Sequence, residues 1–109
     1  MDIRGVIVIE FGIADAPKKI GDEWHIIGRC VTDISVGDKF AKFIPYRKVP
    51  KETKEAVDYI RDAELPVDLT ITRISAYGKE LESWSAGLTA ELVLSGNGDN
   101  LNPFGSLCG

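Results

Sequence analysis

Along most of the chain apolar residues recur every second position, the spacing that places alternate side chains on one face of a strand. Residues 3–11 open with a β-branched run in which Gly5 can bend the backbone close to another strand. Residues 12–21 read as a polar connection containing Pro17, Lys18 and Lys19. Over residues 24–32 the alternation returns: Trp24, Ile26, Gly28 and Cys30 share one face, and His25, Ile27, Arg29 and Val31 share the other. Residues 33–38 turn the chain, with Gly37 free to take positive φ and Asp38 able to hold a neighbouring backbone N–H. A strand carrying Phe40 and Phe43 follows over residues 38–44.

At Pro50 the period changes. Ala56, Val57, Ile60 and Ala63 fall on a helical stripe between Pro50, which suits a first turn, and Pro66, which stops whatever precedes it. The spacing predicts a helix over about 50–65, with Lys51–Glu55 and Lys54–Asp58 as i,i+4 pairs on a solvated face. From residue 67 the period of two resumes. Val67, Leu69 and Ile71 alternate with polar residues, and Ile74 falls on the wrong parity, which predicts a bulge near Arg73. Tyr77-Gly78-Lys79 reads as a hairpin turn, followed by Leu81 and Trp84. In residues 88–95, Leu88, Ala90, Leu92 and Leu94 are expected to face inward. The Gly- and Asn-rich residues 97–109 read as a flexible tail. Six or seven short strands with glycine turns predict a mainly β fold, a small antiparallel barrel over residues 1–96 with one inserted helix.

Composition narrows the function classes. The 109 residues are 44% hydrophobic and 28% charged, ordinary for a globular domain, and suffice for one core. Thirteen basic residues against seventeen acidic give a net charge of −4, which argues against a bulk polyanion binder. No apolar run reaches the roughly 18 residues needed to span a bilayer, so no membrane partner is expected. The opening Met-Asp-Ile-Arg-Gly lacks the pattern of a signal peptide, and Cys30 and Cys108 form no metal or redox spacing. A cytoplasmic location follows as an expectation, with Cys30 read as a small core residue.

Two blocks resemble a known family. Gly28-Arg29-Cys30-Val31-Thr32-Asp33-Ile34-Ser35-Val36-Gly37-Asp38 is similar to the "GRV…G…VGD" block of the second, β-barrel domain of translational GTPases such as elongation factor Tu. Ile71-Thr72-Arg73-Ile74, then Ala86-Gly87-Leu88 and Leu92-Val93-Leu94-Ser95-Gly96, resembles the later "I..I…AG…L.L.G" block of that domain. The resemblance spans roughly residues 3–96 and implies a barrel of the translation-protein type that docks onto RNA, partner proteins or a neighbouring GTPase domain. The G-x-x-x-x-G-K-[ST] phosphate loop is absent, so no nucleotide is expected. Leu88 stands where the family has Asp, and the stretch at 50–65 reads as an insertion.

Candidate chemistry is sparse. His25 is the single histidine and reads as a structural residue on a strand face. Asp58 and Asp62, i,i+4 on the expected helix, sit beside Lys54 and Arg61 and read as surface charge rather than a metal pair. Asn97-Gly98-Asp99-Asn100 lacks the spacing of a calcium loop. Cys108 has no base beside it, so a catalytic thiol is not expected. The sequence therefore predicts no enzyme, no metal and no cofactor. It predicts a non-catalytic stand-alone module whose partner is a protein, as in an inhibitor, an immunity-type protein or an accessory factor. An RNA- or ribosome-associated module is the alternative, disfavoured by net charge. Lys42, Arg47, Lys48, Lys51 and Lys54 around Tyr46 make the one basic patch with an aromatic in it. Tyr46, Arg47, Lys48 and Lys51, with Tyr77 on a separate loop, are the expected partner-binding residues.

Overall fold

The computed structural model describes residues 9–50, 57–101 and 104–109, and for residues 47–50 and 57–60 the backbone alone. Among these residues the regular structure is entirely β. The strands are β1 (Glu10–Ile13), β2 (Lys18–Ile20), β3 (Glu23–Cys30), β4 (Ile34–Ser35), β5 (Lys39–Pro50) and β6 (Val57–Arg61). They continue as β7 (Leu65–Ala76), β8 (Lys79–Leu81), β9 (Ser83–Trp84), β10 (Thr89–Asn97) and β11 (Gly105–Cys108).

Six strands close a ring, β5–β11–β1–β3–β10–β7, and β7 returns to β5; every pairing is antiparallel. β6 pairs with β5, β8 with β7 and β2 with β3, and β4 and β9 form a separate two-stranded pair. The expected mainly β small barrel is the fold observed.

The interior follows the alternation. Ile26 and Cys30 of β3, Leu92 and Leu94 of β10 and Leu69 and Ile71 of β7 are all buried in one core with Phe11, Phe40, Phe43 and Leu107. Two departures from strict alternation have local causes. Between β10 and β7, Val93 faces Arg73 while Leu94 faces Ile71, so Thr72 is the extra residue of a bulge. Its hydroxyl donates to the Val93 carbonyl at 3.0 Å, and the slip turns both Ile71 and Ile74 inward. A second slip, between Phe40 and Lys42 against β7, lets Phe40 and Phe43 both reach the core despite their odd separation.

The corner before β5 forms as its residues dictate. Gly37 has φ 96°, and the Asp38 carboxylate accepts the Ser35 N–H at 2.8 Å while the Asp38 N–H donates to the Ser35 carbonyl at 3.0 Å. Gly28 answers a different need. A Cβ there would lie 1.9 Å from the Gly12 carbonyl oxygen, so β1 and β3 approach at a distance that only glycine permits.

Four sequence expectations are corrected. The helix over 50–65 is not formed where the chain is described: residues 57–61 are β6, held in register by Tyr46↔Arg61 through Pro50↔Val57, and β7 begins at Leu65. Residues 51–56 of that expectation lie outside the described residues. The tail over 97–109 is corrected at its end, where Gly105–Cys108 is a wholly buried strand between β1 and β5. The polar connection over 12–21 contains the end of β1 and all of β2. Leu88 precedes β10 on an exposed turn, because its carbonyl accepts the Cys30 N–H before the strand begins.

Two stability outcomes follow. Nothing lies near a Cβ at Gly37, so Gly37→Ala should cost about 1 kcal/mol through the positive φ alone; an unchanged Tm would contradict that turn. Deleting residues 105–109 strips β1 and β5 of their shared partner, so the cooperative thermal transition should be lost, which circular dichroism would register.

Candidate functional site

The five expected partner-binding residues do not converge. Tyr46 is half-buried, and its hydroxyl shares a hydrogen bond with Ser106 Oγ, itself fully buried on β11. Its ring therefore helps hold β5 to β11, which leaves it little use as a free contact. Arg47 and Lys48 lie on the part of β5 whose described partner is β6, opposite Ile60 and Tyr59. Lys51 lies outside the described residues. Of the other basic residues nearby, Lys42 meets Glu64 at 3.6 Å, and Arg61 meets Glu10 at 3.6 Å. These pairs are largely solvent-exposed and worth little individually.

Tyr77 is placed differently. Tyr46 lies three residues beyond Phe43, the partner of Leu65 at the start of β7, whereas Tyr77 follows the far end of β7. With Gly78 it makes a two-residue hairpin turn, both residues at positive φ (53° and 75°). That turn matches the twist of the flanking strands and presents the ring outward, 83% exposed. The ring stacks edgewise on Trp84, centroids 6.2 Å apart, and Trp84 is fixed in turn by its indole N–H donating to the Thr89 carbonyl at 3.0 Å. The neighbouring 85–88 turn is pinned by Arg29, whose Nε donates to the Gly87 carbonyl at 3.0 Å, and by Asp33, whose carboxylate accepts the Ala86 N–H at 2.8 Å. An exposed aromatic is thus mounted on rigid supports.

Beside it runs a groove of about 340 Å³ over the outer face of β3, β10 and β7, with Ile27, Ala76 and Tyr77 as its apolar lining. A smaller hollow of about 210 Å³ continues it toward Asp15, Lys18 and His25, and both share Ile27 and Glu91. His25 Nδ1 stands 4.0 Å from the Glu91 carboxylate, so the histidine borders the groove from its strand face. A wider groove of about 780 Å³ between β4–β9 and β7–β8 is more polar, and the Arg73 guanidinium in it is already engaged by Glu80 at 3.7 Å. The Tyr77 groove is the better candidate because it combines exposed apolar surface with few, placed polar groups.

The candidate groove shares Tyr77 with the sequence expectation and adds Ile27, Ala76 and Glu91, which the sequence did not single out as binding residues. One signal was present: Ile27 and Val31 are apolar on the face of β3 opposite the core, and both are exposed, at 41% and 51%.

The remaining candidates are accounted for by local structure. The Asn97 side chain accepts the Asp99 N–H at 3.0 Å and Asn100 donates to the Pro66 carbonyl at 2.7 Å, so that loop spends polar groups on its own backbone. Asp62 Oδ1 accepts the Ala63 N–H at 3.0 Å. Among the described residues no three His, Cys, Asp or Glu side chains cluster as metal ligands, and no helix is long and apolar enough to cross a membrane. Cys30 and Cys108 are both free and buried. Burial pushes both thiols above their ordinary range, aided by Asp33 at Cys30 and by Glu10 at Cys108, where Arg61 and Lys42 act in the opposite sense.

No protein-family model, curated protein or solved structure matches the chain. Function is therefore argued from the groove and the residues that build it.

The thiol shifts give a testable pH dependence. A raised folded pKa means that the unfolded chain loses its thiol protons first. The stabilisation is therefore complete below the ordinary cysteine pKa of about 8.5 and falls as pH rises beyond it. Urea midpoints should drop between about pH 8 and 9.5, and more steeply in the native chain than in Cys30→Ala/Cys108→Ala.

Proposed function

We propose that the protein is a non-catalytic binding module that acts through a protein partner, as an inhibitor, immunity-type or accessory protein, and that the partner docks at Tyr77. The observation that carries this reading is the exposed Tyr77 ring, supported edgewise by Trp84, beside a groove lined by Ile27 and Ala76. Tyrosine supplies a large contact area at small entropic cost, and its two supports, the hairpin turn and Trp84, reduce that cost further.

A second reading has one observation in its favour. Beyond Pro45, β5 and β6 form a two-stranded ribbon that carries Arg47 and Lys48, a shape and charge suited to RNA. The surface pairs formed by Lys42 and Arg61 and the net charge of −4 weigh against it.

Affinity capture from native lysate with the tagged full chain separates the two. Tyr77→Ala with Ile27→Ser should remove the captured protein, at least tenfold by quantitative mass spectrometry, while Arg47→Ala with Lys48→Ala leaves it. The converse pattern, with capture that collapses as salt rises, would favour RNA.

A further inference from the structure

We infer that the Tyr77 groove receives an extended segment of the partner in which an apolar side chain is followed, two residues on, by a basic one. The inference rests on the reading of this groove as the docking site and adds the chemistry of what docks.

The apolar requirement comes from the floor. Ile27 and Ala76 offer one aliphatic seat, and Ile27 is two-fifths exposed on a sheet face that otherwise alternates with polar residues. The basic requirement comes from Glu91. Its carboxylate borders both hollows and is half-exposed, and its ion-pair partner among the described residues is His25, which neutralises it only when protonated. Asp15 and Lys18, at the far end, offset one another in charge. Tyr77 adds a ring whose surface is mostly free, a surface on which a guanidinium can lie. The spacing comes from strand geometry: alternate side chains of an extended segment share a face and stand about 7 Å apart. Ile27 and Glu91 stand directly opposite one another on β3 and β10, about one strand spacing apart, so the seat and the carboxylate face the same side of such a segment.

The test uses isotope-labelled full-length protein and three synthetic peptides, acetyl-Gly-Leu-Ser-Arg-Gly-amide and its analogues with Glu for Arg and with Ser for Leu. The Leu-Ser-Arg peptide should move the Ile27 and Ala76 methyl resonances in a saturable, millimolar titration. Either replacement should weaken binding about three- to fivefold, the range of an exposed ion pair or one partly buried aliphatic contact. Glu91→Gln should cost the Arg peptide the same factor and abolish its advantage over the Glu peptide. Equal binding of the Arg and Glu peptides in the groove would overturn the basic requirement and leave the docking site standing. Absence of groove shifts with all three peptides, while Tyr77→Ala/Ile27→Ser still abolishes lysate capture, would overturn the inferred segment but not the docking site. Absence of both effects would overturn the two together.

Discussion

Closure of the six-stranded ring is the constraint on which the rest of the molecule depends. A sheet that closes has no free edge, and here the closing element is β11, four residues long, paired on one side with β1 and on the other with β5. So short a strand can serve only if its neighbours come very close. At Gly105 a Cβ would lie 2.3 Å from the Phe43 ring, so the aromatic that fills this part of the core occupies the space that a side chain on β11 would need. The same crowding appears on the other side of β1, where Gly28 and Gly12 pack backbone against backbone. The two register slips along β7, one against β10 and one against β5, complete the device by bending the sheet without turning Phe40, Phe43, Ile71 or Ile74 away from the interior.

Much of this was legible in the sequence. The alternation in residues 24–32 and 67–72, the parity break at Ile74, the Val36-Gly37-Asp38 corner and the Tyr77-Gly78 hairpin are local signals, and each formed where local chemistry put it. The failures are non-local. Val57-Asp58-Tyr59-Ile60 satisfies a helical stripe and a strand alternation equally, and its β-branched and aromatic residues prefer the strand once β5 is there to pair with. Gly105-Ser106-Leu107-Cys108 carries one large apolar residue and follows an Asn- and Gly-rich stretch, so composition alone reads as tail. Only the two waiting edges make it a strand.

The site was half legible for a related reason. An aromatic at a hairpin tip must point outward, so Tyr77 was visible from sequence. Tyr46 lay in the more conspicuous setting, a basic stretch, yet its hydroxyl is engaged by a serine sixty residues away that no local pattern reveals. Ile27 and Glu91 face one another across β3 and β10, a pairing set by register, and register is a property of two strands together. The candidate surface is thus assembled by the same pairings that build the barrel, with supports at Trp84 of β9, Arg29 of β3 and Asp33 in the turn after β3.

The pairing of Glu10 with Cys108 joins residues almost a hundred positions apart, and this bears on how the chain reaches its fold. The hairpin of β7 and β8 and the nearby β10 can assemble early, since little chain must be ordered to bring them together. The β1–β11 seam lies at the opposite extreme, with the largest loop entropy to overcome and only four residues per strand to repay it. Until that seam zips, both β1 and β5 offer open hydrogen-bonding edges to any neighbouring chain. The interval before closure is therefore when self-association competes with folding, and the speed of that last step governs how much protein escapes it.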